Sequence, residues 1–281
     1  MNARRTARRR GFTLPEMLVA MVILSIVGAA IVRILVLQTH LFQKATAQRA
    51  TRVVTRSAMN VINSDLRMIE PTNGIVSASS TALLVRAPYS LGIVCATSGS
   101  ATTISIAPVD STEFANAGLS GYAWRDTLGA YHYVENSVTV SSGSPGTCTS
   151  ASITTLTGGK VISVTPALPA AATLGAPVFL EEQVKYEFKS SVAVPGAIAL
   201  WRTTMATNLS DELVTPFTNS AAFKFFVLDA DTSQVAPPAT LSNVRGIEFV
   251  LTARSETAPG GQAAPESTLV NTAVFFRNHL H

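Results

Sequence analysis

The chain has 281 residues, 47% of them hydrophobic, and a formal charge of +4 at neutral pH. That is material for one large or two small domains with a core, and it excludes a disordered or fibrous chain. The basic excess invites a nucleic-acid partner, yet Arg4, Arg5, Arg8, Arg9 and Arg10 all precede the first apolar run; from Phe12 onward 16 basic residues face 17 acidic ones, and the nucleic-acid reading loses its support.

The five arginines stand before an apolar stretch, Phe12 to Leu37, interrupted only by Glu16 and Arg33. Arginines on one side of a single apolar run place the N-terminus in the cytoplasm and the rest of the chain across the membrane. Phe12 to Arg33 reaches roughly 31 Å as a helix, close to the thickness of a bilayer core, and Arg33 can snorkel at the far side. There is no second apolar run of about 18 residues, so the expected chain crosses once. "GAA", Gly28 to Ala30, has the small residues of a signal-peptide cleavage site, but it lies deep in a run already longer than a secretory signal requires. Glu16 is the anomaly, because a carboxylate in hydrocarbon costs roughly 2.5–3.5 kcal/mol even on permissive scales and therefore points to a use. The alternative is a residue resting at headgroup level, in contact with water or its own N-terminus. Pro15 fits a first helical turn, where its missing N–H costs nothing.

The stretch "RRRGFTLPEMLVAMVIL", Arg8 to Leu24, resembles the prepilin leader of type IV pilins and type II secretion pseudopilins. The resemblance covers about the first forty residues. It implies cleavage by a prepilin peptidase between Gly11 and Phe12, N-methylation of Phe12, and a role for Glu16 in assembly. The physics agrees on the last point. A new α-amino group at Phe12, with an ordinary pKa near 8, is a cation at the edge of the apolar zone, and Glu16 of a neighbouring subunit can pair with it.

Beyond the apolar run the helical pattern continues. Leu37, Leu41, Ala45 and Gln48, then Val54, Ala58, Val61, Ile62, Leu66 and Ile69, keep a spacing of three or four, and Lys44, Arg49, Arg52, Arg56 and Arg67 take other faces. Pro71 and Asn73-Gly74 end it. Leu14 to Ile69 would be about 84 Å long, so its first half projects beyond any small domain packed on its second half. A coiled-coil stalk fits less well, since no heptad with flanking charges is sustained.

After Pro71 the composition turns to Ser, Thr, Ala, Gly and Val. Short β-type runs are expected at Ala82–Arg86, Leu91–Cys95, Thr102–Ala107, Ala130–Glu135, Ser152–Leu156 and Lys160–Thr165. Residues 71–165 read as a first β-rich lobe, "PALPAAATLGAP" at 166–177 as a linker, and 178–281 as a second β-rich lobe. In the latter, "VFLEEQVKYEFKS" and "AIALWRTTM" form an expected hairpin about Gly196, followed by strands in "AAFKFFVLD", "NVRGIEFVLTAR" and "STLVNTAVFFRN". The hairpin ending in Trp201-Arg202 and the closing "VFFRN" are similar to larger minor pilins and the bulky pseudopilin of type II secretion. The fold class is therefore α+β: a long protruding N-terminal helix, 12–37 in the membrane and 38–70 amphipathic, packed on an antiparallel β-rich region.

Little else carries chemistry. Cys95 and Cys148 lie on the exported side, where oxidation favours a disulfide worth on the order of 4 kcal/mol by loop entropy; two buried thiols are the alternative. His40, His132, His279 and His281 lack ligand spacing, so no metal and no cofactor is expected. No Gly-x-Ser-x-Gly elbow, H-E-x-x-H pair or phosphate loop occurs, so no enzyme is expected. "SDE", Ser210 to Glu212, reads as a solvated loop, and Tyr122 and Trp124 read as core. The expected protein is a minor pilin or pseudopilin of a type IV pilus or type II secretion-like filament. It sits in the bacterial inner membrane with a periplasmic domain, and its partners are a prepilin peptidase and other subunits. The alternatives are a filament-tip adhesin or substrate-binding subunit and, behind that, a single-span periplasmic enzyme or sensor.

Overall fold

The computed structural model describes residues 13–70, 73–135, 138–169, 172–228 and 230–276. Helix α1, Leu14–Leu66, has 53 residues and so a length of about 80 Å. Thr13 enters it in extended conformation and Pro15 occupies the first turn. Through Leu37 its apolar side chains point outward on every face with nothing of this chain against them. Burial begins at Thr51 and continues at Thr55, Ala58, Ile62 and Leu66, one stripe at helical spacing. The two buried threonines donate their hydroxyls to the carbonyls of Gln48 and Thr51, so no polar atom is stranded. Leu37, Leu41 and Ala45, expected to open that stripe, stay exposed because the sheet reaches the helix only further along.

Thirteen strands form one antiparallel sheet among the described residues. They are β1 (Ile75–Ala78), β2 (Ala82–Ser98), β3 (Ala101–Ile106), β4 (Gly121–Arg125), β5 (Tyr131–Glu135), β6 (Thr139–Ser142) and β7 (Lys160–Thr165), then β8 (Pro177–Ser190), β9 (Ile198–Thr204), β10 (Leu209–Phe217), β11 (Ala222–Val227), β12 (Val244–Arg254) and β13 (Ser267–Phe275). Short helices α2, Pro108–Asn116, and α3, Pro145–Ser150, lie between. The main path runs β11-β12-β10-β9-β8-β2-β3-β7-β6, with β13 on β12, β1 on β2, and β4 linking β5 to β8.

Two long strands hold this sheet together. β2 pairs with β8 from Ala82↔Glu187 to Ile93↔Pro177, so residues from both expected lobes share one ladder. A bulge between Pro88 and Ser90 switches the inward parity of β2, from Leu83, Val85 and Ala87 to Ser90 and Val94. An extra residue at a bulge does this, and a proline is tolerated there. Two cores result. One joins Ala58, Ile62, Leu66 and Ile69 of the helix region to Leu83, Tyr186, Phe217, Phe223 and Phe249. The other joins Val94, Ile104, Tyr122, Trp124, Val164 and Leu180. Leu168 and Ala172 of the Pro/Ala segment belong to the second core, so those residues are packed against the sheet.

Several expected strands correspond to observed ones, with instructive differences. Ala82–Arg86 and Leu91–Cys95 are halves of β2, joined through Pro88. Ser152–Leu156 forms no strand, following α3 as irregular chain. Ser210 to Glu212, expected in a loop, lie in β10, which pairs with β9. The hairpin about Gly196 is present, with Ser190↔Ile198 as its last pair and Gly196 at φ 72°, a conformation glycine adopts without penalty.

Candidate assembly site

The residues expected to carry function cluster at the start of α1. Gly11 and Phe12 lie outside the described residues; Thr13, Pro15 and Glu16 form the first turn of the helix. Glu16 Oε2 accepts from both the backbone N–H and the hydroxyl of Thr13, each at 2.9 Å. This reach back to the residue before the helix is one half of a capping box, and it places the negative charge against the helix N-terminus, where the backbone dipole favours it. The carboxylate is therefore held against Thr13, the residue that follows Phe12 in the chain. It remains exposed, open to a partner.

Behind it lies the apolar half of α1, with Leu14, Met17, Leu18, Met21, Ile23, Leu24 and their neighbours to Leu37 uncovered. The helix is long and apolar enough to cross a membrane, and it is the only such helix among the described residues. An exposed apolar area of this extent requires lipid or other helices around it.

The other end of α1 is fastened to the sheet by polar groups. Tyr186 donates its hydroxyl to Asp65, and Tyr133 donates to Glu70 at 3.1 Å. Arg202 lies 3.8 Å from Asp65 and donates to Glu182 at 2.7 Å, while Thr204 donates to the other oxygen of Glu182. Arg86 pairs with Glu135 through two nitrogens, and Gln183 donates to the same carboxylate. The Arg86 guanidinium holds the Glu135 carboxyl below the usual carboxylate range. Glu181 sits beside this network with Oε2 unpartnered among the described residues, and burial raises its pKa to about 8. In the sequence Arg202 stands out only as the arginine of Trp201-Arg202. The network's other signal, Glu181-Glu182 inside an otherwise alternating strand, becomes legible only once β4 and β9 are seen to meet at that point of β8.

Cys95 in β2 and Cys148 in α3 form a disulfide, fixing α3 on the sheet. His132 hydrogen-bonds Asp126 at 2.8 Å and stacks on Trp124, and no cluster of three metal-ligating side chains exists among the described residues. Tyr122 and Trp124 are buried in the second core.

No curated protein and no solved structure matches the chain. Residues 6–32 match the family model of the prokaryotic N-terminal methylation motif, a segment that contains Gly11, Phe12, Glu16 and most of the exposed apolar helix. Carried on one apolar helix joined to an antiparallel sheet, that motif supports a type IV pilin-like or pseudopilin subunit, fits inner-membrane anchoring, and implies processing by a prepilin peptidase and assembly with other pilin subunits.

Proposed function

We propose that this protein is a minor pilin or minor pseudopilin, cut between Gly11 and Phe12, methylated on Phe12, and held in the inner membrane by α1 until it enters a filament. The observation that carries this reading is the pairing of the methylation motif with a helix whose first half is uncovered while its second half is built into the sheet. A helix uncovered on every face can exchange lipid neighbours for the helices of other subunits without disturbing the globular core. Glu16 sets the axial register of that exchange by meeting the amine of the next subunit, since the two charges are costly apart in an apolar surrounding and compatible together. The large sheet argues for a minor or initiating role, and such a subunit works by packing, with no turnover of its own.

Intact mass and N-terminal sequencing of the membrane-extracted protein, from cells with and without a prepilin peptidase, test this. The expected product lacks the eleven residues before Phe12 and carries a methyl group, in the presence of the peptidase only. An uncut chain, or one cut near Ala30, returns the segment to a signal anchor or a signal peptide.

A further inference from the structure

The last strand of the sheet is an edge without the usual protection. β13 pairs with β12 in continuous register from Gly246↔Phe275 to Arg254↔Ser267, and it has no second strand partner among the described residues. The Phe276 N–H donates to Arg245 and the Ser255 N–H donates to Glu266, which fixes the phase of the ladder. Hydrogen-bonded pairs then fall on the even residues of β13, and Ser267, Leu269, Asn271, Ala273 and Phe275 turn their N–H and C=O groups outward.

Natural sheets guard such edges with charge, proline, bulges or short strands. Elsewhere this one does so: β1 and β6 have four residues each, β5 carries His132 and Glu135, and the outer side of β11 is bridged by Gln234. β13 has nine residues with no charge, no proline and no register shift. On its outward face Leu269 and Phe275 are exposed, and Phe275 rests against Phe226 with ring centres 4.9 Å apart.

We propose that β13 is a strand-addition site, completed by an uncharged extended segment of a neighbouring, non-identical subunit. Outward backbone groups at every second residue, over about 30 Å, fit one kind of ligand: another β-strand. A second copy of this chain, paired antiparallel through its own β13, fits poorly. Antiparallel pairing of two β13 edges places a two-fold axis perpendicular to the sheet, and α1, which packs along the sheet, would then point in opposite directions in the two copies. Two chains anchored in one membrane do not meet that way. The start of β13 also lies beside α1, where Thr51 and Thr268 share a hydrogen bond and Lys44 pairs with Glu266 at 3.5 Å, so an added strand would flank the helix that enters the filament. The inference rests on the filament reading above.

The test is a photo-crosslinking walk in cells of the native host, on the full chain, with p-benzoylphenylalanine placed in turn at Leu269, Asn271 and Ala273. The expected result is linkage to one stretch of another subunit, with the linked residue moving two positions along the partner for each two-residue step on β13. Asn271→Glu puts a charge on the edge without touching the backbone, and in a chain cross-linked from Leu269 it should abolish the adduct. Ala273→Pro removes an outward N–H and leaves the ladder to β12 complete, with the same expected loss; slow hydrogen exchange of the β12 amides in each purified variant reports the fold around the edge. A chain that is processed and assembled yet gives no adduct, a scattered set, or an adduct indifferent to Asn271→Glu overturns the strand-addition site alone. An adduct between two copies overturns the choice of partner, and an unprocessed chain overturns this inference together with the filament reading.

Discussion

Glu16 stands at the point where this protein's sequence is least economical and its proposed assembly most demanding. Its carboxylate already has two donors from Thr13, so the isolated subunit tolerates it, yet neither donor carries the positive charge that would neutralise it inside an apolar bundle. Glu16→Ala is expected to leave leader removal unchanged and to abolish incorporation into filaments, read by mass spectrometry of the membrane fraction and by immunoblot of sheared filaments. Glu181 poses the opposite problem, a carboxyl kept protonated by burial near Arg86, Glu135 and Glu70. Its folded form holds the proton up to about pH 8, whereas the unfolded chain releases it near 4.5, so folding binds a proton across that window and stability falls as pH rises through it. The loss is on the order of a few kcal/mol. Glu181→Gln should flatten this slope and make the variant more stable than the parent at pH 8, measured by urea unfolding at several pH values; an unchanged slope would mean that another group governs it.

At the scale of elements, α1 is two helices in one. Ile62 is fully buried between helix and sheet, and Ile62→Ala should destabilise the globular part by about 2–5 kcal/mol through lost transfer energy and a cavity. Leu37→Ala, on the uncovered half, should leave the denaturation midpoint of that part unchanged, since no contact with the sheet is lost. A matched cost for the two substitutions would contradict the division of the helix. The polar ties from Asp65 and Glu70 to Tyr186, Arg202 and Tyr133 fix where the helix ends relative to the sheet. Force along the projecting half therefore reaches a braced joint.

For the whole molecule, β2 and β8 are the spine on which both cores hang, and the disulfide adds a local clamp at the end of β2. Cys95→Ser with Cys148→Ser should lower stability by about 2–4 kcal/mol in urea titration. The loss should fall chiefly on the second core, so hydrogen exchange near α3 and β3 should rise while the helix-side core stays protected. Uniform loosening across both cores would show that the spine does not insulate them.

The sequence alone determined what local pattern encodes: a basic leader, one apolar span, an acidic residue out of place, an amphipathic continuation, and strands in the second half that alternate over most of their length, such as 178–190 and 243–254. Periodicity and charge are properties of neighbours in the chain, so they survive without a fold. What required the tertiary structure was non-local. The joining of β2 across Pro88 depends on a bulge against β8, and the strand at Ser210–Glu212 depends on β9 beside it. The coil at Ser152–Leu156 follows a helix clamped by a cysteine far upstream. The buried network around Glu181, Glu182, Arg86 and Arg202 and the open edge of β13 belong to the same class. Burial, partnership and exposure are set by which strands become neighbours, and residues distant in sequence decide that together.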